Sequence, residues 1–217
     1  MDPTSIRPVV LADALPGAFE SACLVECVDN SRPQRQPLPA PVPRSGEALA
    51  EFDREDAADR LVYLLDGLGC EAAREVRIGG GRRRYEVQRV LVPEAQRLAT
   101  SRMLAAAWRQ GRQALLGTEQ LGASSPRHVQ RLTLAQAAWR AALLAAGQRR
   151  RGHLLWVTLR DQEIAAVLVR AARLLGVTAE VARRPGCLVV TVAAEEAAAL
   201  PATPPRLRLR AGTGALV

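Results

Sequence analysis

Residues 46–92 and 153–192 carry the same order of structural signals, and this repetition limits the fold more than any other feature of the chain. Gly176 lies 107 residues after Gly69. At that offset Ala58 meets Ala165, Leu61 meets Leu168, Val62 meets Val169, Leu68 meets Leu175 and Ala72 meets Ala179. In the first copy Ala48 to Phe52 reads as a short strand. Asp53 is placed to cap a helix, with Asp56 three residues on as its capping-box partner. Ala57, Ala58, Leu61, Leu64, Leu65 and Leu68 follow helical spacing, and Gly69 stops the helix. A hairpin follows, with Glu75 to Ile78, a turn at Gly79-Gly80-Gly81, and Tyr85 to Val92.

The second copy repeats the order. His153 to Leu159 reads as a strand, and Asp161 starts a helix with Ile164, Val167, Leu168, Ala171, Ala172 and Leu175 on its apolar face. Gly176 stops it. Glu180 to Arg183, a Pro185-Gly186 turn and Cys187 to Val192 form the hairpin, and Glu195 to Leu200 a short closing helix. Each copy is preceded by a helix, Ala14 to Asp29 and Leu132 to Ala146. A long helical region from Pro93 to about Leu116 joins the copies through a polar connection, Gly117 to Pro126. The fold class expected is α/β (α+β), an internally duplicated chain whose leading helices pack about a pseudo-twofold axis. Each small sheet then hides one face under its helices. The expected division is a first repeat over 1–117, a second over 118–200 and a basic, Pro-containing tail over 201–217. Pro33, Pro37, Pro39, Pro41 and Pro43 make residues 30–45 a linker within the first repeat, since proline forbids helix and central strand alike.

Composition narrows the function. All 30 basic side chains are Arg and the formal charge is +8, which favours a polyanionic partner, either nucleic acid or an acidic protein. Arg clusters fall at hairpin ends: Arg82-Arg83-Arg84 after the first turn, Arg183-Arg184 at the second, and Arg149-Arg150-Arg151 before the second-copy strand. Arg74, Arg77 and Arg89 add charge to the first hairpin. Together these are the candidate phosphate contacts.

Other chemistry is poorly provided for. Cys23, Cys27, Cys70 and Cys187 with only His128 and His153 do not make a structural zinc site, so the expectation is free thiols in a reducing compartment, with no metal and no cofactor. Neither His has a nucleophile motif beside it. Gly79-Gly80-Gly81 sits between strands, without the spacing of a phosphate loop. Trp108, Trp139 and Trp156 fall at apolar positions and are expected in the core. There is no signal-peptide pattern and no uncharged apolar stretch of 18 residues, so a cytoplasmic chain without membrane association is expected.

The stretch Trp139 to Val192, WRAALLAAGQRRRGHLLWVTLRDQEIAAVLVRAARLLGVTAEVARRPGCLVVTV, resembles the second half of the LAGLIDADG-type domain of the WhiA family of bacterial sporulation and division regulators. Ala48 to Val92 is similar to the corresponding part of the first half. The resemblance implies a LAGLIDADG-like fold and binding of double-stranded DNA in transcription control during sporulation. It does not extend to that family's C-terminal helix-turn-helix. LAGLIDADG nucleases end each leading helix with an acid that holds a metal at the scissile phosphate, as phosphodiester hydrolysis requires. Here Ala146 falls at that place in the second copy and Glu26 in the first. One acid without its partner implies a chain that does not cleave. The alternatives are an interaction domain for an acidic partner such as a sigma factor, and an active endonuclease or other enzyme using Glu26 with further acids that no motif marks.

Overall fold

The computed structural model describes residues 13–29, 48–79, 85–117, 125–146, 149–151 and 153–201. Helix α1 (Leu15–Asp29) leads into β1 (Ala50–Phe52), α2 (Glu55–Gly67), β2 (Ala73–Gly79), β3 (Tyr85–Leu91) and the long α3 (Glu94–Leu116). The second copy runs α4 (Pro126–Ala145), β4 (Arg149–Arg151), β5 (Leu154–Leu159), α5 (Gln162–Leu174), β6 (Ala179–Arg184) and β7 (Cys187–Ala193), closed by a 3-10 turn at Glu196–Ala199. The proline linker of residues 30–45, Gly80 to Arg84 and most of the tail lie outside the described residues.

The two copies share their hydrogen-bond register as well as their order. In the first sheet, ordered β1-β3-β2, Val90 sits between Ala50 and Arg74. In the second, ordered β4-β5-β7-β6, Val190 sits between Val157 and Val181. Val157 and Val181 lie 107 residues after Ala50 and Arg74, and Val190 lies 100 after Val90. The seven-residue difference falls in the hairpin, where the first copy adds the pairs Ile78–Glu86 and Gly79–Tyr85 and has three more residues between its strands. A one-residue slip would turn every side chain to the opposite face, so matched registers mean matched faces.

The helix stops match in the same way. Gly69 and Gly176 take left-handed φ values of 75° and 76°. The Cys70 amide donates back to Leu65 O, and the Val177 amide to Ala172 O, both at 2.9 Å. These are the outer bonds of paired Schellman motifs, for which glycine is the natural residue. Beyond each hairpin, Gln96 Oε1 accepts from the Glu71 amide at 3.0 Å, and Glu196 Oε2 accepts from the Thr178 amide at 2.6 Å. These two pairs also obey the 107- and 100-residue spacings.

The helix starts do not match. Asp161 caps α5, its carboxylate accepting from the amides of Glu163 and Ile164. In the first copy the cap position belongs to Arg54, which makes no side-chain cap bond. The expected Asp53–Asp56 capping box is therefore absent. The cap falls one residue later, and Asp56 pairs with Arg54 instead. Helix α4 starts earlier than expected: the Ser125 hydroxyl accepts from the His128 amide at 3.1 Å, with Pro126 in the first turn. β4, a three-residue edge strand paired with β5, is an element the sequence reading did not anticipate.

α1 and α4 pack on each other at the centre, α2 covers the three strands of the first sheet, and α5 covers β5, β6 and β7. The fully buried set includes Phe19, Leu24, Leu61 and Leu65 from the first copy and Trp139, Leu144, Leu159, Ile164 and Leu168 from the second. Full burial of each such side chain is worth about 1.5–3 kcal/mol. The Trp139 indole N–H donates to Leu168 O at 3.0 Å, which fixes α4 on α5. Across the copies, buried Glu20 of α1 accepts from Arg60 of α2 at 2.7 and 3.0 Å and from Arg140 of α4 at 3.1 Å. Among the described residues no helix is long and apolar enough to cross a membrane.

Candidate nucleic-acid interface

Each sheet has an inner face against its helix and an outer face that its helix leaves uncovered. Strand alternation sorts the side chains. In the second sheet Leu155, Val157, Leu159, Val190 and Val192 point inward and are buried. Leu154, Trp156, Thr158, Thr191, Ala182 and Arg184 therefore point outward, and Leu154, Thr158, Ala182 and Arg184 are exposed. Trp156 thus departs from the expected core position. Its ring stands on the outer face with the Arg184 guanidinium 5.0 Å from its centroid. Such a cation–π contact is worth roughly 0.5–1 kcal/mol at an exposed site. The signal for this was present in the sequence: Trp156 falls between Leu155 and Val157, the two inward positions of a half-covered strand.

The first sheet is arranged differently. Ala50, Phe52, Gln88 and Val90 point inward and are buried. Glu51, Arg89 and Glu75 lie opposite one another in register across all three strands of the outer face. Arg89 reaches Glu51 at 3.2 Å and Glu75 at 2.8 Å, and its side chain is only 14% exposed. Arg77 and Tyr85 lie on the same face nearer the hairpin end, and both are exposed.

The Arg residues singled out from sequence are therefore divided between faces. Arg77 and Arg184 stand exposed on the outer faces. Arg89 is on the outer face but is held by two carboxylates. Arg74 is on the inner side, where it donates to Gln88 at 2.9 Å and pairs with Glu55 and Asp59 of α2, each at 2.9 Å. Burial pushes the Asp59 carboxyl up, while the Arg74 guanidinium pulls it back down. Arg183 lies opposite buried Leu188, hence also on the helix-covered side, although it is itself exposed. Arg82, Arg83 and Arg84 lie outside the described residues, and for Arg149, Arg150 and Arg151 only the backbone of β4 is described.

The two acid positions lie near the ends of the leading helices. Glu26 is partly exposed and lines a small groove with Ala22, Val25, Leu49, Ser101 and Leu104. Glu26 is the one carboxylate in that lining. Ala146 is the residue that ends α4, and it offers only a methyl group. Among the described residues no group of three or more His, Cys, Asp or Glu side chains is placed to hold a metal ion.

No protein-family model matches the chain, and no curated protein matches it in sequence. The fold is similar to that of a variant of the homing endonuclease I-DmoI in complex with its target DNA, at 16% identity over 86% of this chain and 92% of that one, with a TM-score of 0.50. A second I-DmoI variant with its target DNA gives 16% identity over 86% of this chain and 94% of that one, again at 0.50. The chain has a LAGLIDADG-like fold. The N-terminal LAGLIDADG domain of DUF199/WhiA is also found, at 10% identity over 88% of this chain and 89% of that domain, with a TM-score of 0.45. The duplicated architecture expected from the sequence is the one observed.

Proposed function

We propose that this protein is a non-catalytic, LAGLIDADG-like DNA-binding protein with a regulatory role. The observation that carries this reading is the pair of sheets in matched register, whose outer faces point away from the covering helices α2 and α5 and carry Arg77, Trp156 and Arg184. The formal charge of +8 draws such a surface to phosphate. I-DmoI, which has this architecture, has been crystallised with its target DNA. Fold alone does not fix function, so the reading rests on the outer-face side chains. Its non-catalytic part rests on Ala146, whose methyl group cannot bind a metal where the second carboxylate of a paired site is required. The resemblance of Trp139 to Val192 to the WhiA type extends the reading to transcription control in sporulation, in the cytoplasm.

Fluorescence anisotropy with labelled duplex DNA across a salt series, with and without magnesium, tests it. The expected result is binding that weakens steeply with salt and leaves the duplex intact. Absence of binding at low salt overturns the reading and turns attention to an acidic protein partner. Cut duplex overturns its non-catalytic part and makes Glu26 the first residue to replace.

A further inference from the structure

The outer faces of the two sheets have the same backbone register, but their central rows differ in charge. At the centre of the first face, Glu51, Arg89 and Glu75 occupy one cross-strand row, two carboxylates against one guanidinium. The row sums to one negative charge, and its Arg is already bonded on both sides. A phosphate laid there would meet surplus carboxylate, and Arg89 would have to leave existing partners to reach it.

The corresponding centre of the second face is Thr158, Val189 and Ala182, with no charge. Beside it, the row of Trp156, Thr191 and Glu180 supplies an aromatic ring and a hydroxyl. The Arg184 guanidinium lies over that ring, 5.0 Å from its centroid, a contact that uses the ring's π-face and none of the guanidinium's five N–H donors in a carboxylate pair. A ring and a guanidinium beside an uncharged central row match a sugar–phosphate backbone, with the exposed Glu180 carboxylate on the far strand of the ring's row: the Arg meets the phosphate and the ring covers the apolar sugar edge.

Resting on the DNA-binding reading above, we propose that the two halves are unequal partners for the duplex: the second sheet makes the direct contact through Arg184 and Trp156, while the centre of the first sheet is self-neutralised and makes none. The footprint is then lopsided about the pseudo-twofold axis. A target read by this surface has one tightly held half and one loosely held half, the loose half touched, among the described residues, toward the hairpin end where Arg77 and Tyr85 lie.

The test compares three forms of the full chain with the wild type, using a labelled random-sequence duplex across a salt series. The first is Arg184→Ala, the second Trp156→Ala, and the third combines Glu51→Gln, Arg89→Met and Glu75→Gln. Thermal melts confirm that each form folds. Arg184→Ala is expected to weaken binding about tenfold and to flatten the salt slope by about 0.9, the value of one phosphate contact. Trp156→Ala is expected to weaken binding with a smaller change in slope. The triple form is expected to bind as well as the wild type or better. If the triple form loses as much affinity as Arg184→Ala, or if Arg184→Ala and Trp156→Ala both bind as the wild type does, the inequality is overturned while the DNA-binding reading stands. If the wild type itself fails to bind duplex at low salt, the DNA-binding reading falls, and the inequality with it.

Discussion

Both carboxylate oxygens of Glu20 lie 3.1 Å from the Arg140 Nε, joining two helices 120 residues apart in the chain. The Glu20 side chain is 3% exposed, and Arg60 of α2 approaches it from the other side at 2.7 Å. This is an Arg–Glu–Arg triad at the seam between the copies, its carboxylate buried and its two guanidinium side chains partly exposed.

Removing the central carboxylate leaves two guanidinium groups facing each other with no anion between them. Glu20→Ala is expected to destabilise the protein by about 1–3 kcal/mol, less than for a fully buried pair because both stranded guanidinium groups keep contact with water. Replacing all three members with apolar residues of similar volume is expected to cost far less, because no charge is then left stranded. Urea denaturation of the single and triple variants checks this. A single variant as stable as the wild type would show that the triad contributes nothing to joining the halves.

Gly111 of α3 lies against the ring of Phe19. A Cβ at position 111 would fall 2.2 Å from Phe19 Cδ2, far inside contact distance. The Phe19 ring is itself stacked on Trp108 at 5.9 Å and is fully buried, so it has little room to move. Gly→Ala in a helix interior ordinarily stabilises by about 0.5–1 kcal/mol. Here Gly111→Ala is expected to destabilise by about 1–3 kcal/mol through overpacking. Phe19→Leu in the same chain is expected to recover part of the loss, and thermal melts of the single and double variants measure it.

The missing cap on α2 is a defect that the duplication makes easy to see. Arg54→Asp places in the first copy the residue that Asp161 supplies in the second. The Arg54–Asp56 pair it removes is exposed and worth little. A gain of about 0.5–2 kcal/mol is expected, with a loss of similar size for Asp161→Ala. Equal melting temperatures for the Arg54→Asp variant and the wild type would show that the α2 start is already satisfied in another way.

How much of this was legible in the sequence follows from what each signal depends on. The α2 and α5 stripes and their glycine stops depend on local periodicity and backbone conformation, and both were readable. The sequence points to Asp53 because it is the better capping residue in isolation, whereas the shared strand–helix register fixes the cap one position later, at Arg54. β4 gave no signal because three consecutive Arg residues show no alternation. The interface was legible only in part. Composition points to Arg as the residue type suited to a polyanionic partner, but only strand register shows that Arg74 and Arg183 lie on the helix side. Only the fold shows that Arg89 sits between two carboxylates from separate strands. Trp156 reads as core because it falls within an apolar strand, whereas the register gives the inward positions to its neighbours Leu155 and Val157.

Cys23 and Cys27 lie one turn apart on α1 and are both fully buried, whereas Cys70 and Cys187 are partly exposed. Burial pushes the Cys27 thiol well above its ordinary value of 9.0, and the Glu26 charge pushes it further. Burial raises Cys23 likewise, helped by Cys27, Glu20 and Glu26. The reactive species is the thiolate, so in the native protein a thiol-specific reagent is expected to modify Cys70 and Cys187 and to spare Cys23 and Cys27 until the chain unfolds. The same shifts set a direction with pH. Below about pH 9 the two thiols are protonated in both states and contribute no pH dependence. Above it only the unfolded chain releases their protons, so stability falls as pH rises further. Urea midpoints measured across that range in the wild type and in a Cys23→Ala, Cys27→Ala variant separate these two thiols from the rest. The alkaline fall is expected to be shallower in the variant, and an identical fall in both would assign it to other groups.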